Sequence, residues 1–269
     1  MKDLLQLSGL TRSTFYYYLK HRKADKYKKE KQEIQDIYNS NKVRYGYRRV
    51  LVAMRKKGYI INHKTVLKLM RGLGLKGKQR KNGTYHSYKG EVGKIADNIL
   101  KRNFHADKPF EKLTTDITQF KVCDKKVYLS PVMDLFNREI ISYAISTSPD
   151  FASIRKMLSG LFTKLPIEAT PIFHSDQGWQ YQQREYQRLL AKHNKTQSMS
   201  RKGNCLDNSA MENFFGRLKV EMYYGERFES VGDFIQALND YIYYYNNERL
   251  SLKLKGMSPV EYRTHSSVS

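Results

Sequence analysis

The sequence predicts an α/β protein, with a mixed-sheet domain preceded by small, strongly basic all-α segments. Three observations carry that reading. Residues 113–121 (LTTDITQFK), 127–134 (VYLSPVMD) and 139–146 (EIISYAIS) have strand composition, and after them helical and strand-like runs alternate. Before about residue 75, the apolar positions recur at helical spacing instead. The charge is also divided. Of the net +23, residues 1–112 hold 29 Lys+Arg against 9 Asp+Glu, and residues 113–269 hold 20 against 17. The first part is expected to bind a polyanion, nucleic acid above all, and the second to do something else.

Four segments follow in order. Residues 1–40 form a helical arm. Within it, Ser8-Gly9 separates a short leucine face from a second helix that Thr11 or Ser13 can cap and that runs to about Leu19, the outline of a helix-turn-helix. A charged, solvated helix is expected over 20–44, with Ile34, Ile37 and Tyr38 at helical spacing. Residues 41–80 form a second, basic helix-turn-helix. Its first stripe is Val50, Leu51 and Met54, stopped by Gly58. Asn62 caps the next helix, whose stripe is Val66, Leu69 and Met70, stopped by Gly72 or Gly74. The opposite faces carry Arg48, Arg49, Lys64, Lys68 and Arg71, placed to lie against a duplex. Residues 81–108 read as a basic linker, and Lys78 and Arg80 just before it could track a phosphate backbone.

The sheet domain spans 109–269. Asp124-Lys125 suits a hairpin turn between the first two strands. A helix is expected at about 151–163, a strand at 171–174, a helix at 181–193, a strand at 196–199, and helices over 208–223 and 231–247. Three acids stand out by position. Asp116 lies inside the first strand. Asp176 directly follows PIFH, at the end of a buried strand where such sheets bind ligands. Glu212 lies in the first turns of DNSAMENFFGRLK, a helix that Asp207 or Asn208 can cap. Three carboxylates from two strands and a helix can hold two Mg2+ ions, which prefer hard oxygen ligands. Singly, each acid has an ordinary reading: a strand Asp can bond a turn, and an early-helix Glu is favoured by the helix dipole.

Several classes are excluded. No run approaches the roughly 18 apolar residues that span a bilayer, so no membrane role is expected. MKDLLQLSGLTRS does not read as a secretory signal, and Cys123 and Cys205 are expected as reduced thiols of a cytoplasmic protein. Neither belongs to a zinc pattern.

TDIT at 115–118, HSDQGWQY at 174–181 and DNSAMENFFGRLK at 207–219 together resemble the signature of DDE-type insertion-sequence transposases, which carry the integrase catalytic core of the retroviral integrase superfamily. Thirty-five residues separate Asp176 from Glu212, the spacing of that family. The tail YYYNNERLSLKLKGMSPVEYR and the upstream YGYRRVLVAMRKKGYIINHKTVLKLM resemble its other motifs, so the likeness covers nearly the whole chain in order. One position departs: the family often has Trp three residues before the first Asp, and here Leu113 stands there.

The resemblance implies an RNase H-like mixed sheet. It implies that Asp116, Asp176 and Glu212 are both the catalytic residues and the ligands of two Mg2+ ions, which Mn2+ can replace. It implies end cleavage followed by 3′-OH strand transfer, and Lys219 at a DNA-end contact. The expected partners are double-stranded DNA (terminal inverted repeats and target), further copies of the chain, and an upstream helix-turn-helix protein or fusion. The expected location is the bacterial cytoplasm, with the nucleoid. Asn208 matches the DN pair, and Gly178 and Tyr181 match the loop after the second acid. Asp134 is a reserve fourth carboxylate. His174 is expected in the core, and Tyr241–Tyr245 are expected to pack on protein. The competing readings are a structure-specific nuclease of the same fold and a catalytically silent DNA-binding regulator.

Overall fold

The computed structural model describes residues 5–7, 9–20, 25–78, 95–201 and 205–266. They form two compact units, Met1–Gly77 and Lys78–Ser269.

The first unit is helical: α1 Arg12–Lys20, α2 Lys28–Ser40, α3 Tyr47–Lys56 and α4 His63–Gly72. Gly9, at φ +62, precedes α1, and Thr11 Oγ1 accepts the Thr14 N–H at 3.4 Å. The charged stretch read as a solvated helix has a buried side. Ile34, Ile37 and Tyr38 of α2 join Val50, Leu51 and Met54 of α3 and Val66, Leu69 and Met70 of α4 in one core. Full burial of such side chains contributes about 1.5–3 kcal/mol each before chain entropy is counted.

Two glycines make this helical pair possible. After α3, Gly58 N–H bonds to Arg55 O and Tyr59 N–H to Met54 O. After α4, Gly74 N–H bonds to Arg71 O and Leu75 N–H to Met70 O. Both are Schellman endings, and each requires φ > 0 at the glycine, here +87 and +68. Asn62 Oδ1 accepts the Lys64 N–H at 2.8 Å and starts α4 as expected.

The second unit holds β1 Lys112–Thr115, β2 Thr118–Val122, β3 Lys125–Asp134, β4 Ile140–Ser146, α5 Phe151–Phe162, β5 Ile172–Ser175, α6 Arg184–Lys192, β6 Thr196–Met199, α7 Ser209–Leu218, α8 Val231–Asn247 and α9 Pro259–Ser266. β1 and β2 pair antiparallel with β3 in one continuous register: Thr115 faces Val132, and Thr118 faces Leu129. β4 pairs antiparallel with β3; β5 runs parallel to β1, and β6 parallel to β5. With three antiparallel and two parallel pairings, this six-stranded sheet is the mixed fold that the resemblance implied. No helix among the described residues is long and apolar enough to cross a membrane.

Two details correct the sequence reading. The first strand is interrupted at Asp116-Ile117, so Asp116 does not lie inside it. The register places Pro131 opposite the gap, and proline has no N–H to give to a ladder. The β2–β3 turn is Cys123-Asp124, one residue earlier than expected, with both residues at positive φ as a type I′ hairpin demands.

Helix α5, capped by Asp150 on the Ser153 N–H (3.0 Å), buries Ile154, Met157, Leu158 and Leu161 with Tyr186 and Leu190 of α6. Helix α7 packs on β1 and α8 on β4. Asn246 of α8 accepts from Ile140 N–H and donates to Ile140 C=O, both at 2.9 Å, so one side chain fastens α8 to β4. Tyr241, Tyr244 and Tyr245 are buried while Tyr243 is exposed, the packing expected of consecutive helical tyrosines.

Residues 95–108, the described part of the stretch read as a linker, have no helix or strand yet are anchored. Ile99 and Leu100 N–H groups bond to Ser198 Oγ of β6, Met199 N–H bonds to Asp97 O, and Leu100 and Ala106 are buried.

Candidate active site

β1 and β5 are parallel, so their C-terminal ends lie on one side of the sheet, where Asp116 and Asp176 follow them. Both are half-buried. Burial and then the charge of Asp176 push the Asp116 carboxyl well above the usual carboxylate range. The Ile117 N–H, at 2.7 Å from Oδ1, opposes this; Glu212 pushes it further up, and Lys219 pulls it down. Burial also raises Asp176, against the Gly178 N–H at 2.9 Å from its Oδ1. Carboxyls in this relation titrate as a pair.

Gly178 keeps this turn uncrowded. A Cβ there would stand 3.0 Å from Asp176 Oδ1 and 3.1 Å from Gln180 Oε1. Beneath the acids, Tyr181 and Tyr186 are fully buried. Burial, then the charges of Asp176 and Asp116, push the Tyr181 phenol well up; burial and Asp176 do the same to Tyr186. Neither phenol is a proton donor to water here. They form a neutral floor.

The third acid arrives on α7, whose start is fixed by two side chains that a simple capping reading misassigns. Asn208 makes no cap bond. Its Oδ1 accepts from Thr114 Oγ1 at 2.7 Å, and its Nδ2 donates to Thr115 O at 3.2 Å, tying α7 to β1 beside Asp116. Asp207 is fully buried and accepts from Asn98 Nδ2, Arg102 Nε and three groups of Arg201: its N–H, Nε and Nη2. Those arginines hold its carboxyl well below the usual range. Nothing in the local sequence marked these roles, because Asn98 and Arg102 lie more than 100 residues upstream.

His174 completes the frame. Ser198 Oγ already accepts two backbone N–H groups, so its O–H donates to His174 Nδ1 (2.9 Å), and Nε2–H then donates to Asp207 O (3.0 Å). Burial lowers His174 to about 4, so it is a neutral core residue, as expected. Asp134, the reserve acid, accepts Phe110 and Phe136 N–H groups at 2.8 and 2.9 Å and is fully buried, which raises it to about 6. It organises the β3–β4 turn.

Glu212 is half-buried in the first turn of α7. Lys219, seven residues on, begins a π-helical turn, Lys219–Tyr223. Its Nζ lies 5.6 Å from the Phe120 ring centroid, and its charge reaches Asp116. Among the described residues, no three His, Cys, Asp or Glu side chains already stand as a metal-holding group. The donor chemistry still fits a hard divalent cation: the side chains that crowd Asp116 electrostatically are carboxylates, and their repulsion is what such a cation relieves.

In the helical unit, Arg48, Lys64, Lys68 and Arg71 are exposed, and the last three fall along one face of α4. Arg49 is half-buried, 5.4 Å from the Tyr45 ring centroid. Lys78 pairs with Glu226 at 2.9 Å. Arg80 lies outside the described residues.

Comparison with known proteins agrees along the chain. Two integrase core domain families match residues 106–205 and 212–266, and an HTH-like domain family matches 25–83. Over 264 residues the chain is 50% identical to InsK of Escherichia coli (strain K12), assigned as a transposase for insertion sequence element IS150, covering 98% of this chain and 93% of that protein. It is 57% identical over 206 residues to an uncharacterized transposase-like protein of Haemophilus influenzae, covering 77% and 94%. It is 33% identical over 226 residues to transposase InsF for insertion sequence IS3A of E. coli, covering 84% and 78%. Among solved structures, the dimeric HTLV-2 integrase catalytic core domain in complex with magnesium aligns at TM-score 0.41 and 14% identity, over 59% of this chain and 99% of that one.

Proposed function

From the premise that the chain belongs to the integrase-core transposases of insertion sequences, we propose how its acids do the chemistry. The chain is a DNA transposase, an enzyme of the polynucleotidyl transferase kind. In our reading Asp116, Asp176 and Glu212 are its catalytic carboxylates and hold two Mg2+ ions. Those ions, when bound, supply Lewis-acid polarisation of a phosphate and activation of the attacking oxygen.

The protein's own task is then positional. Asp116 and Asp176, on the ends of parallel strands, and Glu212, on a helix tied to β1 by Asn208, fix three carboxylates on rigid elements. In the first displacement water attacks a phosphorus at the element end; one P–O bond forms, one breaks, and a 3′-hydroxyl is released. In the second, that hydroxyl attacks a target phosphodiester and a target 3′-hydroxyl leaves. Both are in-line exchanges, so one site serves both without a covalent protein–DNA link. Lys219 supplies positive charge beside the acids and contacts the DNA end. Duplex DNA is held by Lys64, Lys68 and Arg71 on α4, and by Arg48, Arg49, Lys78 and Arg80. Two ends must be brought together, so the working form is a multimer.

The observation that carries this reading is the placement of Asp116 and Asp176 after the C-terminal ends of two parallel strands, where burial, then the charges of Asp176 and Glu212, raise the Asp116 carboxyl. Replacing Asp116, Asp176 or Glu212 by Ala abolishes both cutting and joining of labelled duplex and leaves duplex binding nearly unchanged. Joining retained in any of the three overturns the assignment. Cutting without joining in the wild type favours a nuclease, and no Mg2+-dependent cutting at all favours a silent regulator.

A further inference from the structure

Helix α7 has a second working face. Ala210, Asn213, Phe214 and Arg217, at i, i+3, i+4 and i+7, line a cavity of about 390 Å³, while Glu212 stands on a different side of the same helix. Arg138 enters this cavity from the β3–β4 turn and Lys253 from the segment after α8. No carboxylate lines it among the described residues. Arg249 also borders it but is committed to Glu221 through two bonds of 2.7 and 2.8 Å. Arg138, Arg217 and Lys253 make no side-chain hydrogen bond or ion pair among the described residues. Arg138 is held in place by its backbone: it has φ +65, and its C=O accepts from Tyr245 Oη at 3.0 Å. Burial pulls its guanidinium below the ordinary arginine value.

Three cations line one cavity that no carboxylate lines among the described residues, and partial burial of Arg138 adds a desolvation cost, only partly offset by the charge of Asp134. The arrangement is favourable when an anion with several oxygens joins it, and the planar guanidinium fork matches phosphate. We propose that this cavity is a phosphodiester site, in which Arg138, Arg217 and Lys253 grip a DNA backbone phosphate. The inference rests on the reading of the chain as a DNA-joining enzyme. It adds that α7 links the grip to the acid it carries.

The test is fluorescence anisotropy of a labelled duplex of about 40 bp and arbitrary sequence with the full chain, titrated in KCl from about 50 to 200 mM. The double variant Arg138→Gln/Arg217→Gln should bind several-fold more weakly at the low-salt end. Its log–log salt slope should be shallower by about 0.9 for each phosphate that is no longer neutralised. Arg138→Lys/Arg217→Lys should recover the slope. Lys253→Gln, at an exposed position, should move the slope the same way even where the double variant is unstable. Unchanged affinity and slope in variants that melt like the wild type overturn the proposal. So does a change in sedimentation with the slope intact, which would make the cavity a seat for an acidic segment of another copy. Asp116→Asn should keep the wild-type slope and lose joining. If it still joins DNA, the functional reading fails and the slope result stands on its own.

Discussion

Two sets of carboxylates in the sheet unit live in opposite surroundings. Asp207 and Glu221 are clasped by cations: Asp207 by Arg102 and Arg201, Glu221 by Arg249 with Tyr241 Oη donating at 3.0 Å. Asp116 and Asp176 each accept one backbone N–H among the described residues; burial raises both, and the charge of Asp176 raises Asp116 further. In a chain with 49 Lys+Arg, cations are not scarce. The frame uses them to neutralise buried acids, and the site leaves two acids facing each other with Lys219 alongside. That difference separates acids that hold the fold from acids kept ready for a ligand of opposite charge.

The contrast between the two sets should be widest in activity. Asp116→Asn and Asp176→Asn should lower strand transfer by about a thousandfold or more, the scale of losing a preorganised electrostatic group. Their melting temperature should be equal or higher, because one repelling charge is gone. A variant that loses activity only by unfolding would erase the distinction.

The frame should respond the other way. Glu221→Ala leaves Arg249, 2% exposed, as an uncompensated buried charge, and should cost about 3–5 kcal/mol in denaturant unfolding. Replacing Glu221 and Arg249 together by Met and Leu should recover most of that loss, since a packed apolar pair needs no charge partner.

Asp134 straddles the two sets, being buried like the frame acids yet raised like the site acids. Its unfolded carboxyl ionises near pH 3.9. The folded one keeps its proton until about 6. Between these values unfolding releases a proton, so this stabilising contribution is present at acid pH and is lost as the pH rises to about 6. Relative to Asp134→Asn, the wild type should lose roughly 2–3 kcal/mol between about pH 4 and 7, read from denaturant midpoints at each pH. A flat difference would contradict the assignment. The smallest effect lies outside both sets: Asn62→Ala removes the α4 cap and should cost about 1 kcal/mol in the helical unit, with strand transfer chemistry on pre-cut ends unchanged.

Much of the scaffold was legible because it rests on local rules. The stripes of α3 and α4, Asn62 and Gly58 follow from helical periodicity and capping. The succession of strands and helices along the chain follows from composition, and the placement of Asp176 after a strand and of Glu212 early in a helix follows with it. What was hidden depends on distant partners. The gap at Asp116 reflects Pro131 across the sheet. Asp207 and Asn208 look like caps until residues 98, 102, 114 and 115 are brought to them. The stripe of α2, Ile34, Ile37 and Tyr38, was visible at helical spacing, but its burial depends on the stripes of α3 and α4.

If Asp116, Asp176 and Glu212 are held ready for divalent cations, the protein itself should register the metal. The decisive measurement is the melting temperature of the wild type and of Asp116→Asn/Asp176→Asn as Mg2+ is raised. The wild type is expected to gain stability with Mg2+, by about 2.7 kcal/mol at roughly a hundredfold excess over Kd, and the double variant to gain none. Equal stabilisation of both proteins would contradict the metal role of these acids.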